Sequence, residues 1–170
     1  MRERGDVRIR PVEPDEYARL GELTVRAYTT LPGHIHDTDY EAALYDVRTR
    51  AESPGCTVLA AVDADGTVIG GVTFVADPSS PMAEHAEPGT ASIRMLAVDQ
   101  AARGRGIGDA LVQECIARAR AANAAAVVLH STPWMHAAHR LYARHGFARD
   151  ESLDWRVDAI DLLGFRLALS

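Results

Sequence analysis

Apolar and polar residues alternate along Val7-Arg8-Ile9-Arg10 with the period of a strand. The run stops at Pro11, after which Pro14-Asp15-Glu16 supplies acidic residues for a helix start. Tyr17, Leu20, Thr24, Ala27 and Tyr28 then recur at helical spacing, and a second helical pattern, Tyr40, Leu44, Val47 and Ala51, stops at Ser53-Pro54-Gly55. Thr57 to Val62 and Thr67 to Val75 are β-rich runs around Asp63-Ala64-Asp65-Gly66, whose Asp-Gly pair predicts a hairpin. Asp77 to Gly89, with its three prolines, predicts a long loop of the kind that often lines a site. Ala91 to Val98 is the next predicted strand. Ile107, Leu111, Val112, Cys115, Ile116 and Ala119 then cover one side of a helix running to about Ala121. Ala125 to His130 predicts another strand, Met135 to His145 a helix ended by Gly146, and Leu162 to Leu169 a final strand.

Strands cluster before and after two central helices rather than alternating with them. That order predicts a mixed α/β (α+β) architecture with a largely antiparallel central sheet of about six to seven strands and about four flanking helices. At 170 residues, 47% of them hydrophobic, the chain can bury one real core, which predicts a single domain over 1–170. No apolar run approaches the roughly 20 residues of a membrane span, and Met1-Arg2-Glu3-Arg4-Gly5-Asp6 lacks the apolar stretch of a signal peptide. A cytoplasmic protein without membrane contact is expected. Cys56 and Cys115 lack metal-ligand spacing and are expected as reduced, structural thiols. A formal charge of −6 argues against nucleic-acid affinity, which needs a basic surface, and mildly favours a cationic small substrate, with ordinary solubility charge as the other reading.

The most informative stretch is Met95-Leu96-Ala97-Val98-Asp99-Gln100-Ala101-Ala102-Arg103-Gly104-Arg105-Gly106-Ile107-Gly108, an apolar strand whose short connection opens an amphipathic helix with alternating glycines. Amides at a helix start lack intrahelical partners, the helix dipole favours negative charge there, and glycines let an anion approach the backbone. Arg103 and Arg105 add two cationic forks. A nucleotide-triphosphate loop would end in Gly-Lys-Ser/Thr, whereas Asp109 follows Gly108 here, and the spacing Gly104, Gly106, Asp109 fails the dinucleotide fingerprint.

Arg103-Gly104-Arg105-Gly106-Ile107-Gly108, preceded by Leu-Ala-Val, resembles the Gln/Arg-x-x-Gly-x-Gly/Ala signature of the GNAT N-acetyltransferases. Ala138-His139-Arg140-Leu141-Tyr142-Ala143-Arg144-His145-Gly146-Phe147 is similar to that family's later block, Ala-x-x-Leu-Tyr-x-x-x-Gly-Phe. The resemblance runs from Ile9-Arg10-Pro11 to Leu163-Gly164-Phe165-Arg166-Leu167 and takes in Asp154-Trp155. It implies a GNAT-like fold and acetyl-CoA as cosubstrate, with Leu96, Ala97 and Val98 pairing with the pantetheine arm. It further implies contact between Arg103, Gly104, Arg105, Gly106, Ile107, Gly108 and Asp109 and the coenzyme. The implied reaction moves an acetyl group to a primary amine of a small molecule, amino acid or peptide by direct attack in a ternary complex. Resembling proteins are often homodimers.

Acetyl transfer needs a neutral amine, a polarised carbonyl and a stabilised thiolate. By resemblance, an amide near Val98 polarises the carbonyl and Tyr142 serves the sulfur. Where similar sequences often carry a Glu or His before Leu-Ala-Val, this chain offers Ser92 and Arg94, expected to border the acceptor, and neither is a natural base. His130, at the end of its strand, is the alternative base, and a satisfied strand-end histidine is the other reading. Glu84, His85 and Glu87 could reach the site from the long loop, though such residues are more often solvated. Met135 stands where many family members carry Asn. His136 and His139 share a helix face but lack a third ligand, so no metal is expected, and His34-Ile35-His36 reads as a polar loop near the acceptor pocket. Ser92 and Met135 keep open an alternative, an acyl-CoA-binding regulatory or degenerate module with little catalysis.

Overall fold

The computed structural model describes residues 6–34, 36–157 and 159–169, so Met1 to Gly5 and Ile35 lie outside the described residues. A meander opens the sheet: β1 (Arg8–Pro11), β2 (Cys56–Val62), β3 (Val68–Val75) and β4 (Thr90–Val98) pair antiparallel in sequence order. β5 (Ala126–Ser131) then runs parallel to β4. A parallel neighbour requires a crossover, which α4 (Ile107–Ala121) supplies. β8 (Ile160–Ala168) closes the far side antiparallel to β5, and β6 (Ala148–Arg149) and β7 (Trp155–Val157) each pair with β8.

Strand alternation splits the interior into two cores. Leu59 and Ala61 of β2 face one cluster with Leu111, Cys115 and Leu141, whereas Val58, Ala60 and Val62 face another with Leu20, Leu23 and Val47. α4 and α5 (His136–Arg144) therefore cover one face, and α1 (Tyr17–Thr29) and α3 (Val47–Ala51) the other. Every residue of β3 is buried, as befits a strand covered on both sides. The central pair Gly70-Gly71 sets how closely those layers approach. A Cβ on Gly71 would stand 2.5 Å from Leu20 Cδ1, and one on Gly70 3.1 Å from Ile107 Cγ2. Burial pushes the Cys115 thiol up to about 12, and both cysteines are free.

The mixed sheet, the hairpin at Asp63 to Gly66 and the Gly146 stop agree with the sequence pattern. Asp63 Oδ1 accepts from the amides of Asp65 and Thr67 at 3.0 and 2.9 Å, and Gly66 and Gly146 have φ of +81° and +91°. The helical pattern from Tyr40 to Ala51 is two helices rather than one, α2 (Thr38–Tyr45) and α3. Asp46 breaks it with φ −79° and ψ 72°, and its side chain caps α3 through the Thr49 amide. Buried Arg50 reaches back to the Leu44 carbonyl at 3.3 Å and to Thr73 Oγ1 at 3.0 Å, fixing the break against the sheet. β6 and β7 bring the strands among the described residues to eight, beyond the expected count. Both are short and have no buried residue, so no alternation marks them. No described helix is long and apolar enough to cross a membrane.

Candidate active site

β4 and β5 stay together for only three residue pairs, Thr90 with Ala126, Ala91 with Val127 and Ser92 with Val128. Past that point they part, and the β4 edge from Ile93 to Val98 faces no strand on that side. β4 also carries one extra residue there: Gly71 pairs with Ala97 but Thr73 with Arg94, and Met95 takes φ +54°, a left-handed backbone rare outside glycine. This bulge lets consecutive residues Ile93, Arg94 and Met95 all line the cavity of about 300 Å³ that fills the gap. His130 and Ser131 form the opposite strand's wall, Tyr142 of α5 stands behind, and Tyr28 and Tyr40 of α1 and α2 close one side. Trp155 and Ile160 enter from the β7–β8 hairpin.

A charged network ties the gap together. Glu84, from the loop between β3 and β4, places Oε1 2.7 Å from Arg94 Nε and Oε2 against His130 Nδ1, so one carboxylate bridges both parting strands. Arg94 also donates to the Met82 carbonyl at 2.9 Å. His130 Nε2 lies 2.8 Å from the Leu153 carbonyl and 2.8 Å from His85 Nε2, with the two imidazoles stacked. Burial alone would lower the His130 pKa, but the Glu84 carboxylate, by hydrogen bond and by charge, outweighs it and leaves the ring above its ordinary value. Burial acts on Glu84 in the opposite sense and is likewise outweighed, by His130 and Arg94, which hold the carboxyl below its usual range. Burial lifts the Tyr142 phenol well above its ordinary value, so it keeps its proton.

The free β4 edge leads from this cavity towards the turn before α4. Gly104 and Gly106 adopt φ of +80° and +74°, and a Cβ built on either would meet nothing within 4 Å. Gly106 caps α4 without a side-chain hydrogen bond, and the amides of Gly104 to Asp109 take no backbone acceptor among the described residues. Arg103 and Arg105 are exposed, with no carboxylate partner among the described residues. An open turn, unspent amides, two guanidinium groups and the end of a 15-residue helix make an anion cradle.

Residues 18–147 match the family described as the acetyltransferase (GNAT) family. The chain belongs to the GNAT family. Among solved structures, a GNAT acetyltransferase from Staphylococcus aureus Mu50 is similar with TM-score 0.78 and 15% identity, covering 97% of this chain and 100% of that one. The PaiA N-acetyltransferase from Thermoplasma acidophilum, in complex with coenzyme A, gives TM-score 0.72 at 16% identity over 96% of this chain and 99% of that one. The yncA protein from Salmonella typhimurium, with its cofactor acetyl-CoA, gives 0.67 at 22% identity over 97% and 95%. Identities this low show the fold. Among curated proteins, no sequence matches significantly.

Within this GNAT domain, the structure gathers the expected site residues unevenly. His130, Arg94 and Tyr142 share one cavity. Ser92 does not line it: paired with Val75 and Val128, it is buried in the sheet one residue before the strands part. Leu96, Ala97 and Val98 lie on the free-edged stretch, where the Ala97 side chain is buried in the core and only its backbone is offered. Ile107 is core as well, and Gly108 leaves room for Leu141, whose Cδ2 would be 3.3 Å from a Cβ there. The Asp109 carboxylate is held at the α4–α5 junction by His145 at 2.8 Å and Arg144 at 3.2 Å. Met135 lines the cavity with its thioether. His139 is spent on Ser131 Oγ and the Thr132 carbonyl, at 3.1 and 3.0 Å, and His34 on Glu41 at 3.2 Å.

Glu84 is the residue that sequence reasoning undervalued. Its place on the long loop reads as that of a solvated side chain, and only the unmatched Arg94 on the neighbouring strand hints at a carboxylate partner. Replacing Glu84 with glutamine is expected to cost about 2 kcal/mol, because Arg94 and His130 would face each other without a counter-charge. The cost should follow pH. His130 is raised from 6.5 and Glu84 lowered from 4.5, so the pair is fully formed between those values. It weakens as pH rises through the folded His130 pKa, and as pH falls through that of Glu84. Melting temperatures of both proteins across that range would show the widest gap near pH 5 to 6.

Proposed function

We propose that this protein moves the acetyl group of acetyl-CoA to a primary amine of a small molecule, amino acid or peptide, by direct attack in a ternary complex. The observation that carries this reading is the free strand edge, Ile93 to Val98, that joins an open anion cradle to a cavity. Two similar structures hold coenzyme A or acetyl-CoA, which supports the same cosubstrate here.

The cradle fits a pyrophosphate. Amides from Gly104 to Asp109 would take its oxygens, and Arg103 and Arg105 its charge. The backbone of Leu96, Ala97 and Val98 would pair with the pantetheine arm as a strand pairs with its neighbour. That aims the thioester at the cavity, where a backbone amide near Val98 polarises the carbonyl without help from a side chain.

Tyr142 would serve the leaving sulfur. A phenol near 10 protonating a thiolate near 8.5 is uphill by roughly 1.5 units, about 2 kcal/mol, and burial of Tyr142 steepens the climb. The hydroxyl therefore stabilises the sulfur by donating a hydrogen bond. Arg94 borders the acceptor and Ser92 supports the strand behind it. His130 adjoins the acceptor as a base should, but its Nδ1 and Nε2 already face Glu84 and the Leu153 carbonyl. It accepts a proton only after giving one up.

Calorimetric titration with acetyl-CoA, followed by thiol release over a panel of primary amines, tests the proposal. Binding with turnover is expected. Tight binding without turnover on any amine would instead make the protein a regulatory or degenerate acyl-CoA-binding module, and failure to bind the coenzyme overturns both.

A further inference from the structure

Two clusters of three potential metal ligands occur among the described residues, and they differ in kind. Glu13, Asp15 and Glu16 offer oxygen alone, and Glu16 already spends both oxygens on the Arg10 guanidinium, at 2.8 and 3.0 Å. His34, His36 and Glu41 offer two imidazoles and a carboxylate, with one ligand atom of each within 4.8 Å of the other two. His34 Nε2 and His36 Nδ1 converge on Glu41 Oε1, from 3.2 and 3.1 Å. A single oxygen thus holds two rings, whose centroids stand 5.1 Å apart at an interplanar angle of 79°. Among the described residues, no guanidinium pairs with Glu41.

The backbone holds these three side chains in place. His34 and His36 come from the connection between α1 and α2, and Glu41 from the first turn of α2. Asp37, between them, caps α2 through the amides of Asp39 and Tyr40 at 3.0 and 3.1 Å, which fixes the angle at which the chain enters the helix. On the other side Gly33, with φ +86°, passes so close to Trp134 that a Cβ there would stand 3.0 Å from the indole. Ligands from a stretch as short as 34–41, anchored at both ends, need little further ordering.

We propose that His34, His36 and Glu41 bind one borderline-soft divalent ion such as zinc, with solvent completing its shell. Ligands about 2.0 to 2.2 Å from a tetrahedral zinc lie roughly 3.3 Å from one another, and both nitrogens already stand close to that distance from the carboxylate oxygen. Coordination therefore asks for small rotations of three side chains about a common point, and the loop need not be rebuilt. Imidazole nitrogen selects zinc, nickel or copper over magnesium and calcium, which take oxygen. The way in is open from solvent, since exposure falls from 86% at the His36 side chain to 26% at Glu41 and 11% at His34. His34 also lines the cavity, so the ion pins that stretch of its wall to α2. It is no cofactor of the acetyl transfer, which needs no metal; the ion serves the loop.

Calorimetric titration of the full, untagged, metal-free chain with zinc chloride tests this in the absence of coenzyme, so its outcome is separate from that of the acetyl-transfer reading. One zinc per chain with a dissociation constant of about 10 µM or below is expected, and no comparable binding of magnesium. His36→Ala removes an exposed ring and should weaken zinc about 10- to 100-fold, while the melting temperature of the metal-free protein stays unchanged. Glu41→Gln should weaken zinc to a similar extent, because it keeps an oxygen for the two imidazoles and loses the charge that the ion needs. His136→Ala should leave affinity as it was, since His136 and His139 of α5 make a pair without a third ligand. No zinc binding at about 100 µM, full affinity in His36→Ala, a loss that follows His136 instead, or equal affinity for magnesium overturns the inference.

Discussion

Gly106→Leu is expected to weaken acetyl-CoA binding by about 100-fold or more, close to 3 kcal/mol, while the protein still folds. Two effects separate cleanly at this position. The left-handed backbone, φ +74°, charges any side chain roughly 1 to 2 kcal/mol, which moves the melting temperature by a few degrees. The larger effect is steric. A Cβ at Gly106 meets no atom of the protein within 4 Å, so the folded chain tolerates it. The space it enters is the space we assign to a phosphoryl group. Calorimetry and thermal melts on the same sample check the two effects separately. Full-strength binding by the folded variant would move the cradle elsewhere.

Tyr142→Phe should lower kcat by about 10- to 100-fold, or 1.4 to 2.7 kcal/mol of transition-state stabilisation, with little change in coenzyme affinity. The ring packs edge to face on Phe147 with centroids 5.8 Å apart and lies 6.2 Å from that of Phe165, contacts that phenylalanine keeps. Loss of stability should thus stay small, and near-UV circular dichroism can verify it. On the acetyl-transfer reading the hydroxyl would serve charge that develops on sulfur only as the bond breaks, so its removal would belong in kcat. An unchanged kcat would reduce Tyr142 to a packing residue.

The open glycine turn was legible in the sequence and the cavity between the parting strands was not, for a physical reason. A left-handed turn with open backbone amides needs glycine at Gly104 and Gly106 and a helix directly after, so local sequence carries the whole device. The cavity is built across the chain. Glu84 meets His130 over 46 positions, and Tyr28 meets Tyr40 across the connection between α1 and α2. No periodicity records such meetings. Ser92 failed for a subtler reason: the strand containing it was recognised, but the residue at which the sheet opens depends on pairing with β5, which the strand's own pattern does not encode.

The bulge at Met95 and the parting of β4 from β5 leave one seam of the sheet unladdered. An occupant that fills that seam binds the native chain alone, so its concentration enters the folding equilibrium directly: a hundredfold excess over its dissociation constant adds about 2.7 kcal/mol. On the acetyl-transfer reading, resistance to proteolysis would then rise and fall with the supply of acetyl donor, and starved cells would clear the protein sooner.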